Sequence, residues 1–139
     1  MNYLLDTCVI SEYTKKHPVQ SVLEWVANSA ESDLYLSVLT IGEIKRGIER
    51  LSDSARKTAL QSWLNDDLQA RFGQRLVDID VDVMLTWGAL MVQVEKMGRI
   101  LPFADSLIAA TALRHNFILV TRNVSGFEGA GAQVINPWN

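Results

Sequence analysis

The sequence is poor in several residue types, and each shortage excludes a class of protein. Its single cysteine, Cys8, has no partner for a disulfide within the chain and no second thiolate for a cysteine zinc site. No run of apolar residues approaches the roughly 18 that a membrane-spanning helix needs, and no basic segment followed by a long apolar stretch suggests a signal peptide. We therefore expect a cytoplasmic protein of a reducing compartment, with no membrane contact.

Positive charge is also scarce, because 13 lysines and arginines stand against 16 aspartates and glutamates. The formal net charge of -3 counts against a protein that coats nucleic acid non-specifically, but it leaves room for an enzyme with a local basic rim. What is present is a globular composition, 48% hydrophobic and 21% charged, over 139 residues. We expect a single domain that covers residues 1–139.

Short apolar segments alternate with longer amphipathic ones along the whole chain. The short segments predict buried β-strands, and the longer ones, with apolar residues at helical spacing, predict α-helices. This alternation is typical of an α/β fold with a central, mainly parallel sheet and helices on both faces. The predicted strands cover residues 2–6, 34–38, 75–80, 117–121 and 132–136, and the predicted helices cover residues 7–16, 19–30, 40–51, 53–72, 81–97 and 102–115.

Three acidic residues stand where predicted helices begin. Asp6 ends the first strand, and Glu43 lies in the first turn of the helix after the second strand. Asp105 lies in the first turn of the helix that starts near Pro102. Ligands of open α/β sheets bind beyond the carboxyl ends of the strands, so these acids converge if their strands are neighbours. Converging carboxylates repel one another, and an acidic cluster with few histidines favours Mg²⁺ or Mn²⁺ over zinc.

Each acid has a purely structural interpretation as well. Aspartate is a favoured helix N-cap, and an acid in a first helical turn complements the helix dipole by about 0.3–1 kcal/mol. Thr40 and Glu43 also have the T-x-x-E spacing of a capping box. The spacing alone does not separate helix caps from metal ligands.

Four stretches extend the pattern beyond single residues, and together they span nearly the whole chain. In chain order they are YLLDTCVISE, LSVLTIGEIKRGIERL, PFADSLIAATAL and LVTRNVSGFEGAGAQVINPW. With them the sequence resembles the PIN-domain family, in particular the VapC- and FitB-like ribonuclease toxins of bacterial toxin–antitoxin pairs. The resemblance implies a PIN-like α/β/α sandwich. It also implies a Mg²⁺- or Mn²⁺-dependent ribonuclease that leaves 5′-phosphate and 3′-hydroxyl ends.

The same resemblance assigns roles to individual residues. It implies that Asp6, Glu43 and Asp105 are the catalytic residues and hold the cation, which activates a water for in-line attack on the RNA phosphate. The family's fourth, more variable acidic position is Asn123 here, whose amide oxygen would act through a metal-bound water. Gly126 stands where close relatives often have aspartate, so the number of bound cations stays open.

Smaller side chains near these motifs are candidates for supporting roles. Thr7 and Thr121 are candidates for hydroxyl contacts to a carboxylate or to the phosphate. Cys8 stands where relatives commonly have asparagine, and we expect it to be a packing substitution, because a free cysteine usually behaves as a small hydrophobe.

Three cationic residues are candidates for RNA binding. Arg122 adjoins the expected site and is a candidate for a phosphate contact. Lys45 and Arg46 follow Glu43 on its helix and could also contact phosphates. They fit a solvated helix face paired with Glu49 equally well.

The resemblance also implies partners, which are RNA, a cognate antitoxin and a second copy of the chain, with a higher oligomer formed with the antitoxin. The helices between Pro18 and Phe72 carry more apolar surface than one layer on a thin sheet needs. The resemblance implies that this region forms the dimer interface and a groove for the antitoxin. Trp25, Trp63 and Trp87 lie on apolar helical stripes, which places them in the core or in an interface.

Three other functions share parts of this pattern. A haloacid-dehalogenase-type phosphatase needs a second aspartate two residues after the first, where this chain has Cys8. A receiver-like binding domain needs paired acids in the first turn and a lysine after a late strand, where this chain has Arg122. A catalytically weak or inactive PIN-fold protein that binds RNA or an antitoxin stays open, because Asn123 and Gly126 replace acids.

Overall fold

Five short strands form one sheet at the centre of the computed structural model, which describes residues 1–139. The strands are β1 Tyr3–Leu5, β2 Leu34–Ser37, β3 Leu76–Val77, β4 Ile118–Val120 and β5 Val134–Ile135. Their order across the sheet is β3-β2-β1-β4-β5, and every neighbouring pair is parallel. The predicted parallel α/β sheet is therefore confirmed, and its first strand is also its middle strand.

Seven α-helices connect the strands. They are α1 Thr7–Ser11, α2 Gln20–Asn28, α3 Val38–Glu49, α4 Ala55–Ser62, α5 Gln69–Phe72, α6 Val81–Lys96 and α7 Phe103–His115. A π-helical segment, Trp63–Leu68, joins α4 to α5, so the helix predicted over 53–72 is one helical run with a wider turn inside it. None of these helices is both long and apolar enough to cross a membrane.

The start of α3 differs from the prediction. Ser37 caps this helix, because its hydroxyl accepts a hydrogen bond of 3.0 Å from the backbone amide of Leu39. The helix therefore begins at Val38, which places Thr40 inside it, fully buried, and Glu43 in its second turn. The predicted capping box of Thr40 and Glu43, and the placement of Glu43 in the first turn, are wrong.

Each face of the sheet has its own hydrophobic core. Leu4 and Leu119 point into a core formed with α6 and α7, while their neighbours Leu5 and Val120 point into a core formed with α1 to α5. Successive strand residues face opposite sides of a sheet, so two adjacent leucines can serve two cores. This arrangement is the three-layer α/β/α sandwich that the sequence predicted.

The exposed apolar surface lies on a different layer from the one predicted. The helices between Pro18 and Phe72 bury most of their apolar stripes, with Trp25 and Trp63 packed against the core beside them. The large exposed hydrophobic residues cluster on α6 and before and at the start of α7 instead, and include Val81, Leu85, Val92, Ile100 and Phe103. The expectation of excess apolar surface in the region from Pro18 to Phe72 is therefore wrong. Trp87 packs against the other core, as predicted.

Candidate active site

The carboxyl ends of β1, β2 and β4 lie side by side, since these strands are parallel neighbours. Asp6 follows the end of β1, α3 starts directly after β2, and Thr121 follows the end of β4. The chain thus delivers polar groups from three segments to one edge of the sheet. This is the edge at which open α/β proteins bind their ligands.

Asp6 is both a helix cap and the most enclosed acid of this edge. One carboxylate oxygen accepts a hydrogen bond of 2.8 Å from the backbone amide of Thr7, which makes Asp6 the N-cap of α1. The other oxygen accepts a hydrogen bond of 2.8 Å from the Thr121 hydroxyl. Burial raises the pKa of Asp6 above its ordinary value in spite of these two bonds, and the charge of Glu43 raises it further.

Glu43 is held by a hydroxyl from the neighbouring helix. The Thr7 hydroxyl donates a hydrogen bond of 2.6 Å to Oε1 of Glu43 and lies 3.0 Å from the Thr40 hydroxyl. Because a carboxylate only accepts, the Thr7 proton points to Glu43 and the Thr40 hydroxyl donates to Thr7. This chain of hydroxyls fixes one oxygen of Glu43 and leaves the other without a protein donor.

Asp105 lies in the first turn of α7, as predicted, and is half-buried. Burial raises its pKa above the ordinary value, and the charges of Asp6 and then of Glu43 raise it further. The influence of both other acids on Asp105 shows that the fold brings the three carboxylates into one electrostatic neighbourhood.

No cation of the protein balances these acids. The seven ion pairs of the structure all involve other carboxylates, and none includes Asp6, Glu43 or Asp105. An oxygen-only set of donors with unbalanced negative charge fits a hard divalent cation such as Mg²⁺ or Mn²⁺. The side chains are not gathered tightly, since no three acidic, histidine or cysteine groups stand close enough together to enclose a metal ion. Such a looser set suits a cation that keeps several of its waters.

The turn after β4 carries the hydroxyl group that orients Asp6. The Thr121 hydroxyl donates to Asp6 and accepts a hydrogen bond of 3.1 Å from the backbone amide of Asn123. The side-chain amide of Asn123 lies against Gly126, where an added Cβ would come within 2.2 Å of Nδ2. Positions 123 and 126 are therefore coupled, because any larger residue at 126 displaces the amide of Asn123.

Cys8 packs against the core on the α1 to α5 side of the sheet and also contacts the acidic edge. Its Sγ lies 3.9 Å from Oδ2 of Asp6 and 3.6 Å from the Thr121 hydroxyl. Burial raises the pKa of the Cys8 thiol, and the charge of Asp6 raises it further. A hydrogen bond from the backbone amide of Arg122 lowers this pKa, but does not cancel the rise. The thiol is therefore protonated at neutral pH and is a weak donor to Asp6.

The three cations predicted to bind RNA differ in their surroundings. Lys45 forms an ion pair of 2.6 Å with Glu49, which is the solvated pairing that the sequence left open. Arg46 is exposed and has no acidic partner within ion-pair distance. Arg122 is exposed at the site, with its guanidinium 5.8 Å from the ring centre of Trp138.

Sequence reasoning missed Glu12, a fully buried acid just after α1. Burial alone would raise the pKa of Glu12, but an ion pair with Lys15, a hydrogen bond from the Val19 amide and the charge of Arg122 hold it below its ordinary value. The spacing of Glu12 and Lys15 was a visible signal. The Val19 amide was not, because it reaches Glu12 only when the loop folds back.

Comparisons with known proteins identify relatives of the chain in sequence and in fold. A protein-family model described as PIN domain matches residues 3–129. VapC ribonuclease Y4jK of Sinorhizobium fredii is 37% identical over 135 residues, which covers 97% of this chain and 96% of that protein. Toxin FitB of Neisseria gonorrhoeae is 32% identical over 136 residues, with 98% of both chains covered. The crystal structure of FitAcB from Neisseria gonorrhoeae superposes with a TM-score of 0.94 at 31% identity and covers 99% of both chains.

Proposed function

The chain belongs to the PIN-domain family, and from that premise we propose that it is a metal-dependent endoribonuclease that acts as the toxin of a toxin–antitoxin pair. Relatives that match nearly the full length of the chain are named a VapC ribonuclease and the toxin FitB. The observation that carries the proposal is the group of three acids that repel one another at the ligand-binding edge with no protein cation beside them. Structural groups left in this state only cost stability, so a bound cation is the simplest reason to keep them.

Asp6, Glu43 and Asp105 would hold a Mg²⁺ or Mn²⁺ ion, and Asn123 would act through a water. When bound, such an ion neutralises charge on a phosphate and makes water a better nucleophile at neutral pH. Hydrogen bonds within the chain hold two of these carboxylates in fixed orientations. Thr121 and the Thr7 amide orient Asp6, and the Thr7 hydroxyl orients Glu43, so that less freedom is lost when a ligand binds.

The proposed substrate is RNA and the proposed protein partner is an antitoxin. A relative that matches 98% of this chain is named toxin FitB, and the solved structures of FitAcB and FitAB superpose on the chain with a TM-score of 0.94. Arg122 and Arg46 are exposed, make no ion pair and are the basic side chains we assign to RNA phosphates. Lys45 becomes available for this role only when its pair with Glu49 opens.

We also place a second copy of the chain on α6. Val81, Leu85 and Val92 repeat at helical spacing, with 74%, 69% and 48% of their surfaces exposed. Ile100 and Phe103 extend the same layer at the start of α7. An apolar helix face of this kind is normally covered, and a two-fold pairing would cover it on both copies at once.

A second candidate function is RNA or antitoxin binding without cleavage. It is favoured by the turn after β4, where an amide at position 123 and a glycine at position 126 supply no carboxylate. One experiment separates the two functions. Purified wild type, Asp6→Asn and the surface control Asp53→Asn are incubated with total RNA in Mg²⁺, in Mn²⁺ and in EDTA.

Cleavage that requires the metal, is lost in Asp6→Asn and is kept in Asp53→Asn is the expected result. Its cut ends should carry 5′-phosphates and 3′-hydroxyls. Thermal unfolding in the same buffers provides an independent readout, because a ligand that binds only the folded state at 100 times its Kd stabilises it by about 2.7 kcal/mol. A wild type that neither cleaves RNA nor gains stability with either metal would support the binding-only function.

A further inference from the structure

A cleft of about 200 Å³ opens beside the acids, between α1, α3 and α4. Thr7 and Glu43, which belong to the acidic edge, line it together with residues further along α3. It follows α3 from Glu43 to the end of that helix, a distance of about 9 Å at 1.5 Å per residue. The cleft is therefore continuous with the proposed catalytic site, yet most of its lining takes no part in holding a cation.

Four aliphatic side chains form the apolar part of the cleft lining. Ile44 and Ile48 are almost fully buried and present only their edges, while Leu51 and Leu60 are half-buried. Gly47 lies between them on α3, and a Cβ built on it meets no atom within 4 Å. Glycine is unfavourable inside a helix, so its presence here keeps free a volume that another side chain would fill.

Five polar residues line the cleft. Thr7 is bonded to Glu43 and the Thr14 hydroxyl to the Ser11 carbonyl, which leaves Arg56 and the Ser11 hydroxyl for a ligand. Arg56 is its one cationic residue, has no acidic partner within ion-pair distance and makes only a long hydrogen bond of 3.4 Å to the carbonyl of Thr14. The Ser11 hydroxyl, on the opposite wall, makes no hydrogen bond within the protein. Glu43 is the one acid of the lining, and it belongs to the catalytic edge.

We propose that this cleft holds one unpaired nucleotide of the RNA, adjacent to the bond that is cut, an inference that rests on the proposed ribonuclease function. The apolar walls would contact the flat faces of a base or ribose, the Ser11 hydroxyl a base edge, and Arg56 a neighbouring phosphate. The volume is below the roughly 300–1,000 Å³ of pockets that enclose whole small ligands, which suits one base of a longer chain.

A substrate that places a base in this cleft must be single-stranded at the point of cleavage. A base in a duplex is stacked and paired, and it cannot enter a cleft, whereas bases in loops and bulges can turn outward. The charges also run in the right order for a nucleic acid. A free guanidinium at one end and a cation-binding set of acids at the other would contact successive phosphates of one strand.

Two substitutions test the cleft in different ways. Arg56→Gln removes the phosphate contact, and Gly47→Leu fills the base-sized volume without changing charge. Matched controls are Lys96→Gln on α6, which removes an equal charge elsewhere, and Gly42→Leu, which adds equal bulk to α3 outside the cleft, where a Cβ also meets no atom. All four are made in a cleavage-silent Asp105→Asn background, and binding of a fluorescent single-stranded RNA of mixed sequence is followed by anisotropy over a range of salt concentrations.

Arg56→Gln should lower the slope of log Kobs against log[salt] by about 0.7, the value for one phosphate contact to a single strand. Gly47→Leu should weaken binding about tenfold at constant slope, because it blocks a base and not a charge. Neither control should change affinity or slope. The milder Gly47→Ala should bind like the parent, and unchanged thermal unfolding of each variant confirms that the fold is intact.

The outcomes separate this proposal from the one on which it rests. A parent protein that binds no RNA would overturn both. RNA binding that is unaffected by Arg56→Gln and Gly47→Leu would overturn the nucleotide site and leave the ribonuclease proposal standing. Variants that bind RNA normally but no longer co-purify with a co-expressed antitoxin would overturn it in favour of a protein segment in the cleft.

Discussion

The hydroxyl of Thr7 donates a 2.6 Å hydrogen bond to the carboxylate of Glu43, and so joins the first turn of α1 to the second turn of α3. The two residues are 36 positions apart in sequence. Glu43 takes no part in capping its own helix, so the bond from Thr7 is what orients its carboxylate. Asp6 is oriented in the same manner by Thr121. Asp6 and Glu43 therefore each depend on a threonine from another segment.

Thr7→Val tests this dependence, because valine keeps the shape of threonine and loses the hydroxyl. Groups that orient a metal ligand typically contribute 10- to 100-fold to metal affinity or activity, so we expect a Mg²⁺ affinity about 10-fold lower and a matching loss of RNA cleavage. Isothermal titration with Mg²⁺ measures the first and gel assays the second. Thr58→Val, whose hydroxyl bonds only within α4, is the control, and equal affinities in both variants would contradict the role of Thr7.

Asp6→Asn should stabilise the metal-free protein at neutral pH. The pKa of Asp6 is raised in the folded state, so the folded state binds its proton more tightly than the unfolded state does. Above the raised pKa, the ionised carboxylate therefore lowers the free energy of unfolding. This loss shrinks as the pH falls from the raised pKa towards the ordinary pKa of aspartate, and it is absent below that value. Asparagine is neutral throughout and can still cap α1.

Thermal unfolding in EDTA over a pH series checks this sign. The melting temperature of Asp6→Asn should exceed that of the wild type at pH 7, and the difference should shrink on acidification. Asp53→Asn, a fully exposed acid in an ion pair with Lys57, should show no such gain. A lower melting temperature for Asp6→Asn at pH 7 would mean that its carboxylate is satisfied without a cation.

Asn123→Asp restores a carboxylate at the fourth acidic position. Another negative charge near three unbalanced acids should lower the melting temperature in EDTA and tighten Mg²⁺ binding, by roughly 1 kcal/mol or about fivefold if the added charge acts across a partly solvated gap. Asn65→Asp, exposed on the π-helical segment, makes the same charge change far from the site. Identical Mg²⁺ titrations for the two variants would show that position 123 does not face the cation.

Leu85→Glu should break the proposed pairing of two chains through α6. A charge at the centre of an apolar interface is left without a partner, and such changes commonly cost 2 kcal/mol or more of association energy, about 30-fold in the dimer Kd. Sedimentation equilibrium gives that constant directly. Val19→Glu, at an exposed apolar position on the opposite layer, should leave it unchanged, and dissociation by Val19→Glu alone would move the interface to the other face.

The sequence was informative where structure follows from neighbouring residues. Asp6 and Asp105 could be placed because a strand end and the proline before a helix mark their positions locally. The start of α3 could not, since Ser37 and Thr40 are both good caps and only the hydrogen bond to Leu39 chooses between them. Propensity does not rank two such residues three positions apart.

Features that depend on distant segments were beyond the sequence. The cleft at Arg56 exists because the start of α4 comes close to Thr14, which is 42 positions away in sequence. The excess of exposed apolar surface, expected between Pro18 and Phe72, lies on α6 for a related reason. Helical periodicity shows that a stripe is apolar, but which stripe is covered depends on how many helices share each face of the sheet.

The pairing of β1 with both β2 and β4 has a consequence for the order in which the protein can be made. Asp6 emerges from the ribosome 115 positions before its partner Thr121. The central strand must therefore wait, with one edge unpaired, until β4 has been synthesised. A nascent chain cannot assemble the acidic edge, so a truncated or unfinished product carries the acids without the site.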